Sequence, residues 1–200
     1  MKMKKRVLMG LAVISMVAVL TSCGKKPQAE IDAVNAAIEA AKTAEAATYL
    51  PAEFAALQDS LNAVMTAITA KESKMFKNFK TEVAKLAEVT TLANTVTANV
   101  AAKKEEVKAE VANMMTSIKT VIDENATLIP KLPRGKEGAA VIEQIKADVA
   151  TVDAAVAEAQ GLFDKGSFMD AMNKIKAAKE KADGLNAEVK EVLTKARIRF

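Results

Sequence analysis

Residues 75–126 read MFKNFKTEVAKLAEVTTLANTVTANVAAKKEEVKAEVANMMTSIKTVIDENA, an uninterrupted run without glycine or proline. Along it Phe76, Phe79, Val83, Leu86, Thr90, Ala93, Thr97, Val100, Lys104, Val107, Val111, Met114, Ile118 and Val121 recur at alternating steps of three and four. That spacing places them on one stripe of a single helix. Ser73 stands where a cap for a helix starting near Met75 belongs. At 1.5 Å per residue the segment makes a rod of roughly 75 Å, longer than one compact domain ordinarily uses. The stripe weakens at Thr90, Thr97 and Lys104. Two cores sharing one connecting helix satisfy the pattern, and so does a bend or break between Ala101 and Glu106.

Working outward, the breakers set the other boundaries. No glycine lies between Gly24 and Gly135, and Pro27, Pro51, Pro130 and Pro133 are the only prolines. A first helix is expected from about Gln28 to Thr48, with Ile31, Val34, Ile38 and Ala41 on its stripe. Pro51 suits the first turn of a second helix, with Glu53 near its positive end and Phe54, Leu57, Leu61, Val64 and Ile68 on one face. After the long helix, residues 127–138 hold two prolines and two glycines in a basic frame. This loop is either a semi-rigid extended connector or a device presenting Lys131, Arg134 and Lys136 to an acidic partner. A fourth helix carries Ile142, Ile145, Val149, Val152, Val156 and Phe163 and ends near Asp164 to Gly166. A fifth carries Phe168, Ala171, Ile175, Ala178, Ala182, Leu185, Val189 and Val192.

These elements repeat approximately. Ile38, a proline turn, a heptad helix and Met75-Phe76 correspond to Ile122, the proline loop, a heptad helix and Ser167-Phe168. The expectation is an all-α fold of two tandem three-helix antiparallel bundles sharing a long central helix. Residues 28–101 form the first and residues 102–200 the second, which includes the loop 127–138. Alanine makes up a fifth of the chain and aromatics 4%. Alanine is the strongest helix former and leaves thin seams between helices.

The chemistry-bearing inventory is short. The chain has no histidine and a single cysteine, and neither a phosphate-cradling glycine loop nor a cysteine cluster for metal. A non-enzymatic protein without cofactor or metal is expected. Glu105-Glu106, Asp123-Glu124 and the pair Asp148 and Asp153 read as solvated helix faces with lysines nearby rather than paired acids or a calcium site. Met114-Met115 and Met169 with Met172 offer thioethers to Cu(I), but methionine also fills irregular cores and is read that way here.

The lone cysteine closes a distinctive leader. Lys2, Lys4, Lys5 and Arg6 precede an apolar or small run from Val7 to Leu20, too short to span a bilayer as a mature helix, and then Leu20-Thr21-Ser22-Cys23. This sequence resembles the lipobox of bacterial lipoproteins. The resemblance implies removal of residues 1–22, acylation of Cys23, a tether at residues 23–27 and attachment to the membrane through the acyl chains. Two or three chains hold a protein where a single one is marginal. Processing would also remove four of the 29 basic residues, leaving 25 against 25 acidic ones. A balanced chain lacks the basic footprint of a nucleic-acid binder.

The last helix pair resembles a tetratricopeptide repeat through Ala159, Gly166, Phe168, Ala171, Ile175 and Ala178. The mature chain as a whole is similar to small alanine-rich helical envelope lipoproteins of uncharacterised function. That likeness implies a structural or protein-docking scaffold, with Gly24 after the cysteine pointing to the periplasmic face of the outer membrane and with an envelope protein as partner. The alternative is a binding module for a small or lipid-like ligand between the helices, which a thin alanine seam disfavours. Covalent linkage to peptidoglycan is not expected, because the chain ends in Arg197-Ile198-Arg199-Phe200 rather than in lysine.

Overall fold

The computed structural model describes residues 24–133 and 136–200. Every element is helical: α1 (Gln28–Thr43), α2 (Ala46–Tyr49), α3 (Pro51–Glu72), α4 (Lys80–Leu128), a 3-10 turn (Ile129–Lys131), α5 (Lys136–Asp164) and α6 (Phe168–Lys195). The all-α expectation and the shared central helix both hold. Helix α4 is continuous through Ala101 to Glu106, and its 49 residues make a rod of about 74 Å. Leu86, Ala93, Val100, Val107, Val111 and Ile118 from the expected stripe are buried, and Val89 and Val96 join them. Those two valines carry the packing where the expected stripe is weak. Thr90 and Thr97 sit half-buried beside them, their hydroxyls donating to the carbonyls of Leu86 and Ala93 at 2.9 and 2.8 Å. A hydroxyl satisfied within its own helix costs the seam little.

Ion pairs give the directions. Lys26 meets Glu72 at 3.4 Å, and Glu45 pairs with Lys104, so α1 runs alongside the first half of α4 in the same sense while α3 returns against it. Lys176 with Glu110 and Lys190 with Glu124 set α6 parallel to the second half of α4. Lys174 with Glu158 and Lys181 with Asp148 set α5 antiparallel to α6. In each unit the third helix packs on both others, whereas the first two scarcely touch: α4 lies between α1 and α3, and α6 lies between α4 and α5. The internal repeat is therefore present in the packing. Alanines at the seams, among them Ala41, Ala93, Ala159 and Ala171, are wholly buried and let the helices approach closely.

One apolar cluster runs from Ile31 to Leu185, crossing the expected boundary at residue 101 without interruption. A second, smaller cluster at the far end comprises Leu128, Leu132, Ile145, Val189 and Leu193. Between them Asn186 Nδ2 donates to Asn125 Oδ1 at 2.9 Å and to Glu124 Oε2 at 3.0 Å, while Asn125 Nδ2 reaches the Ala182 carbonyl at 3.4 Å. Both asparagines are buried, and mutual pairing is what makes that burial tolerable.

Four local expectations need correction. The first helix stops at Thr43, because Glu45 adopts a left-handed φ of 70° that turns Ala46 and Tyr49 onto the core. Ser73 closes α3, its hydroxyl donating to the Ala70 carbonyl at 3.0 Å, and α4 begins only at Lys80, where Asn78 Oδ1 accepts the Lys80 N–H at 3.0 Å. Phe76, expected on the stripe, is 93% exposed. The proline loop is shorter than residues 127–138, because α4 extends to Leu128 and Leu132 hooks into the second cluster. Gly138 is needed there: a Cβ on it would lie 2.2 Å from the Pro133 carbonyl oxygen.

Candidate functional site at the two ends of the rod

Of the residues singled out from sequence, Cys23 and Arg134 lie outside the described residues, as does the side chain of Lys136. Lys131 is exposed on the 3-10 turn. The basic loop and the chain leaving Gly24 occupy opposite ends of α4, because Lys26 is tied to the turn preceding Lys80 whereas Lys131 follows Leu128. Gly24 and Lys131 are thus separated by about the length of the long helix, roughly 70 Å.

Four of the six carboxylates that sequence brings forward are engaged with lysines. Glu106 meets Lys103 at 2.8 Å, Glu105 meets Lys108 at 3.8 Å, Glu124 meets Lys190 at 2.8 Å and Asp148 meets Lys181 at 2.7 Å. Lys190 and Asn186 hold the Glu124 carboxyl below the usual range, and Lys181 with Gln144 does the same for Asp148. Met114, Met115, Met169 and Met172 all pack in or against the main core. Among the described residues no group of three or more acidic or cysteine side chains converges on a metal-sized site. The concavities are surface grooves. One of about 320 Å³ runs between α3 and α4, lined by Ser60, Ala63, Val64, Lys85, Glu88, Val89 and Leu92.

Sequence reading placed a break near Ser73 but missed that the turn extends to residue 79. Its frame is fixed from both sides. Phe79 is buried at one end, and Lys71 Nζ in the last turn of α3 donates to the Asn78 carbonyl at 3.1 Å and to Glu82 Oε2 at 2.7 Å. Glu82 is only 4% exposed; burial pushes its carboxyl up, but Lys71 and the Glu82 backbone N–H together outweigh that and hold it below the usual range. Between these fixed points Met75 and Phe76 project almost fully into solvent, 94% and 93% exposed. Lys74 and Lys77 flank them in sequence and, like Lys80 at the start of α4, are exposed too. The signal was available as lysine at 71, 74, 77 and 80, but the apolar period absorbed Phe76 into the helix.

At mid-rod, Lys104 pairs with Glu45 and lies 5.1 Å over the Tyr49 ring, while Lys108 lies 5.8 Å over Phe168. Burial raises the Tyr49 hydroxyl pKa, helped by Glu45 and opposed by Lys104. These contacts join the two units at one level of α4. Comparison of the chain with protein-family models, with curated proteins and with solved structures found no match.

Proposed function

We propose that the chain is a lipid-anchored envelope protein: a structural or docking scaffold held by acyl chains on Cys23 at the periplasmic face of an outer membrane, with its helical rod presenting the Lys131, Arg134 and Lys136 region to an envelope protein. The observation that carries this reading is the basic leader ending in Leu20-Thr21-Ser22-Cys23, which holds the chain's single cysteine. Its support from shape is the continuous α4, which separates the anchor end from the basic turn. No helix among the described residues is long and apolar enough to cross a membrane. The groove between α3 and α4 is open to solvent rather than enclosed, which favours a scaffold over a small-ligand module.

The test has two parts. Mass spectrometry of protein purified from cell membranes should find an acylated Cys23 as the first residue, and Cys23→Ser should abolish membrane fractionation. A photo-crosslinking amino acid at position 131 should capture one or two stoichiometric envelope proteins, lost in the Cys23→Ser variant. Capture of abundant bystanders alone would remove the docking role. An unmodified Cys23 in membrane-bound protein would remove the anchor.

A further inference from the structure

Single exposed apolar side chains are ordinary, but Met75 and Phe76 are adjacent, almost fully exposed and held out by a turn whose flanks are fixed. The turn is the end of the molecule at which the chain emerges from Gly24, since Lys26 bonds Glu72 one residue before Ser73. The charge there is not balanced as it is over residues 23–200 taken together. Residues 71–80 hold four lysines and one glutamate, and Lys25 and Lys26 adjoin them. The acidic groups facing this end are Glu72, paired with Lys26, Glu82, buried against Lys71, and Glu30 and Asp32 in the first turns of α1.

We propose that Met75 and Phe76 insert into the interfacial region of an anionic bilayer, with Lys74, Lys77 and Lys80 on the headgroups around them. An apolar wedge flanked by lysines matches such an interface in both respects: the side chains enter the acyl boundary while the ammonium groups stay at headgroup level. The proposal rests on the anchor reading for its geometry, since acyl chains on Cys23 would enter the membrane beside the same turn. Lipid at Cys23 and the wedge at residues 75 and 76 are then two separate contacts, and two contacts fix the tilt of a rod that one flexible tether would leave free.

The chain has no tryptophan, so Phe76→Trp gives a sole reporter at an exposed position, and Phe200→Trp, 52% exposed at the chain's last residue, gives the control. Each full-length variant, purified from membranes, is reconstituted into phosphatidylethanolamine–phosphatidylglycerol vesicles with brominated acyl chains. Tryptophan at 76 should emit at shorter wavelength and lose most of its intensity to the bromolipid, whereas tryptophan at 200 should do neither. Adding Lys74→Glu with Lys77→Glu should restore much of the intensity at low salt. Unquenched, water-like emission from position 76 on vesicles that carry the acylated protein would overturn the wedge and leave the anchor standing. Quenching at 76 in protein whose Cys23 is unmodified would uphold the wedge and overturn the anchor. Emission that changes only in native membranes, and not on pure lipid, would overturn lipid as the occupant in favour of a protein.

Discussion

The turns at residues 73–79 and 164–168 occupy corresponding places in the repeat, yet they are held by different forces and treat their aromatic residue in opposite ways. The first is closed by a charge: Lys71 bridges the Asn78 carbonyl and the buried Glu82 carboxylate, and Phe76 is left in solvent. The second is closed by packing and backbone geometry. Phe168 meets Phe163 edge-on with ring centroids 5.3 Å apart, Lys108 lies over it, and Gly166 supplies a left-handed φ of 79°. The difference follows from position. The second turn lies at mid-rod, where Tyr49 and α4 offer apolar surface, whereas the first lies at a free end. A repeat therefore keeps its helix packing while the exposed turn becomes available for another use.

The largest effect should come from the charge that closes the first turn. Lys71→Met leaves the Glu82 carboxylate buried without its main partner, and breaking such a pair costs more than its presence gains, here about 3 kcal/mol. The loss should depend on pH. Because the folded pKa of Glu82 is depressed in the native protein, its contribution is present above the ordinary carboxylate range and disappears as pH falls through the folded value. In Lys71→Met, burial acts against only the Glu82 backbone N–H and Lys85, so the folded pKa rises. Urea unfolding should find the destabilisation greatest near neutrality and shrinking as the pH is lowered toward 4. A pH-independent difference would mean that Lys71 acts through the Asn78 carbonyl alone.

A direct comparison of the two aromatics is the next step down. Phe168→Ala removes a half-buried ring and its aromatic partner contact, for about 2 kcal/mol in the same unfolding experiment. Phe76→Ala should change stability by less than about 0.5 kcal/mol, since almost nothing in the folded chain touches it. Equal losses at the two positions would show that Phe76 packs in solution and that the turns are not opposites.

The periodicity made most of the architecture legible, because a period of three and four identifies a helix face wherever a helix exists. It could not mark where α4 begins: Phe76 and Phe79 both fit the stripe, but the helix starts only at Lys80, where Asn78 Oδ1 accepts the Lys80 N–H, and of the two aromatics Phe79 is buried and Phe76 exposed. The stop at Glu45 was hidden for a related reason, since neither glycine nor proline marks it and the left-handed residue is a glutamate tied to Lys104 in another helix. Glu82 and the Asn125–Asn186 pair look like surface residues in sequence because their partners are 11 and 61 positions away. The candidate site was legible only as an address. Leu20 to Cys23 and the basic residues around Lys131 are local patterns, whereas the tip at Met75 depends on where the helix starts relative to each aromatic.

A smaller loss than that at Phe168 separates backbone geometry from packing at the second turn. Around Gly166 there is open space, so a side chain there meets no neighbour and the cost of adding one lies in the left-handed backbone alone. The Gly166 N–H donates to the Phe163 carbonyl at 2.9 Å and the Ser167 N–H to the Leu162 carbonyl at 3.0 Å, an arrangement that requires this φ. Gly166→Ala should therefore cost about 1 kcal/mol, and Gly166→Asn should recover part of it, because asparagine tolerates the left-handed region better. The opposite order, with asparagine worse than alanine, would show that side-chain size and not φ is limiting, and hence that the second turn is closed by packing rather than by backbone geometry. Alanine substitution at Ser73 in the first turn, a right-handed position with φ of −79°, should have no such backbone penalty. The two turns would then differ in what their backbones demand as well as in what their side chains bury.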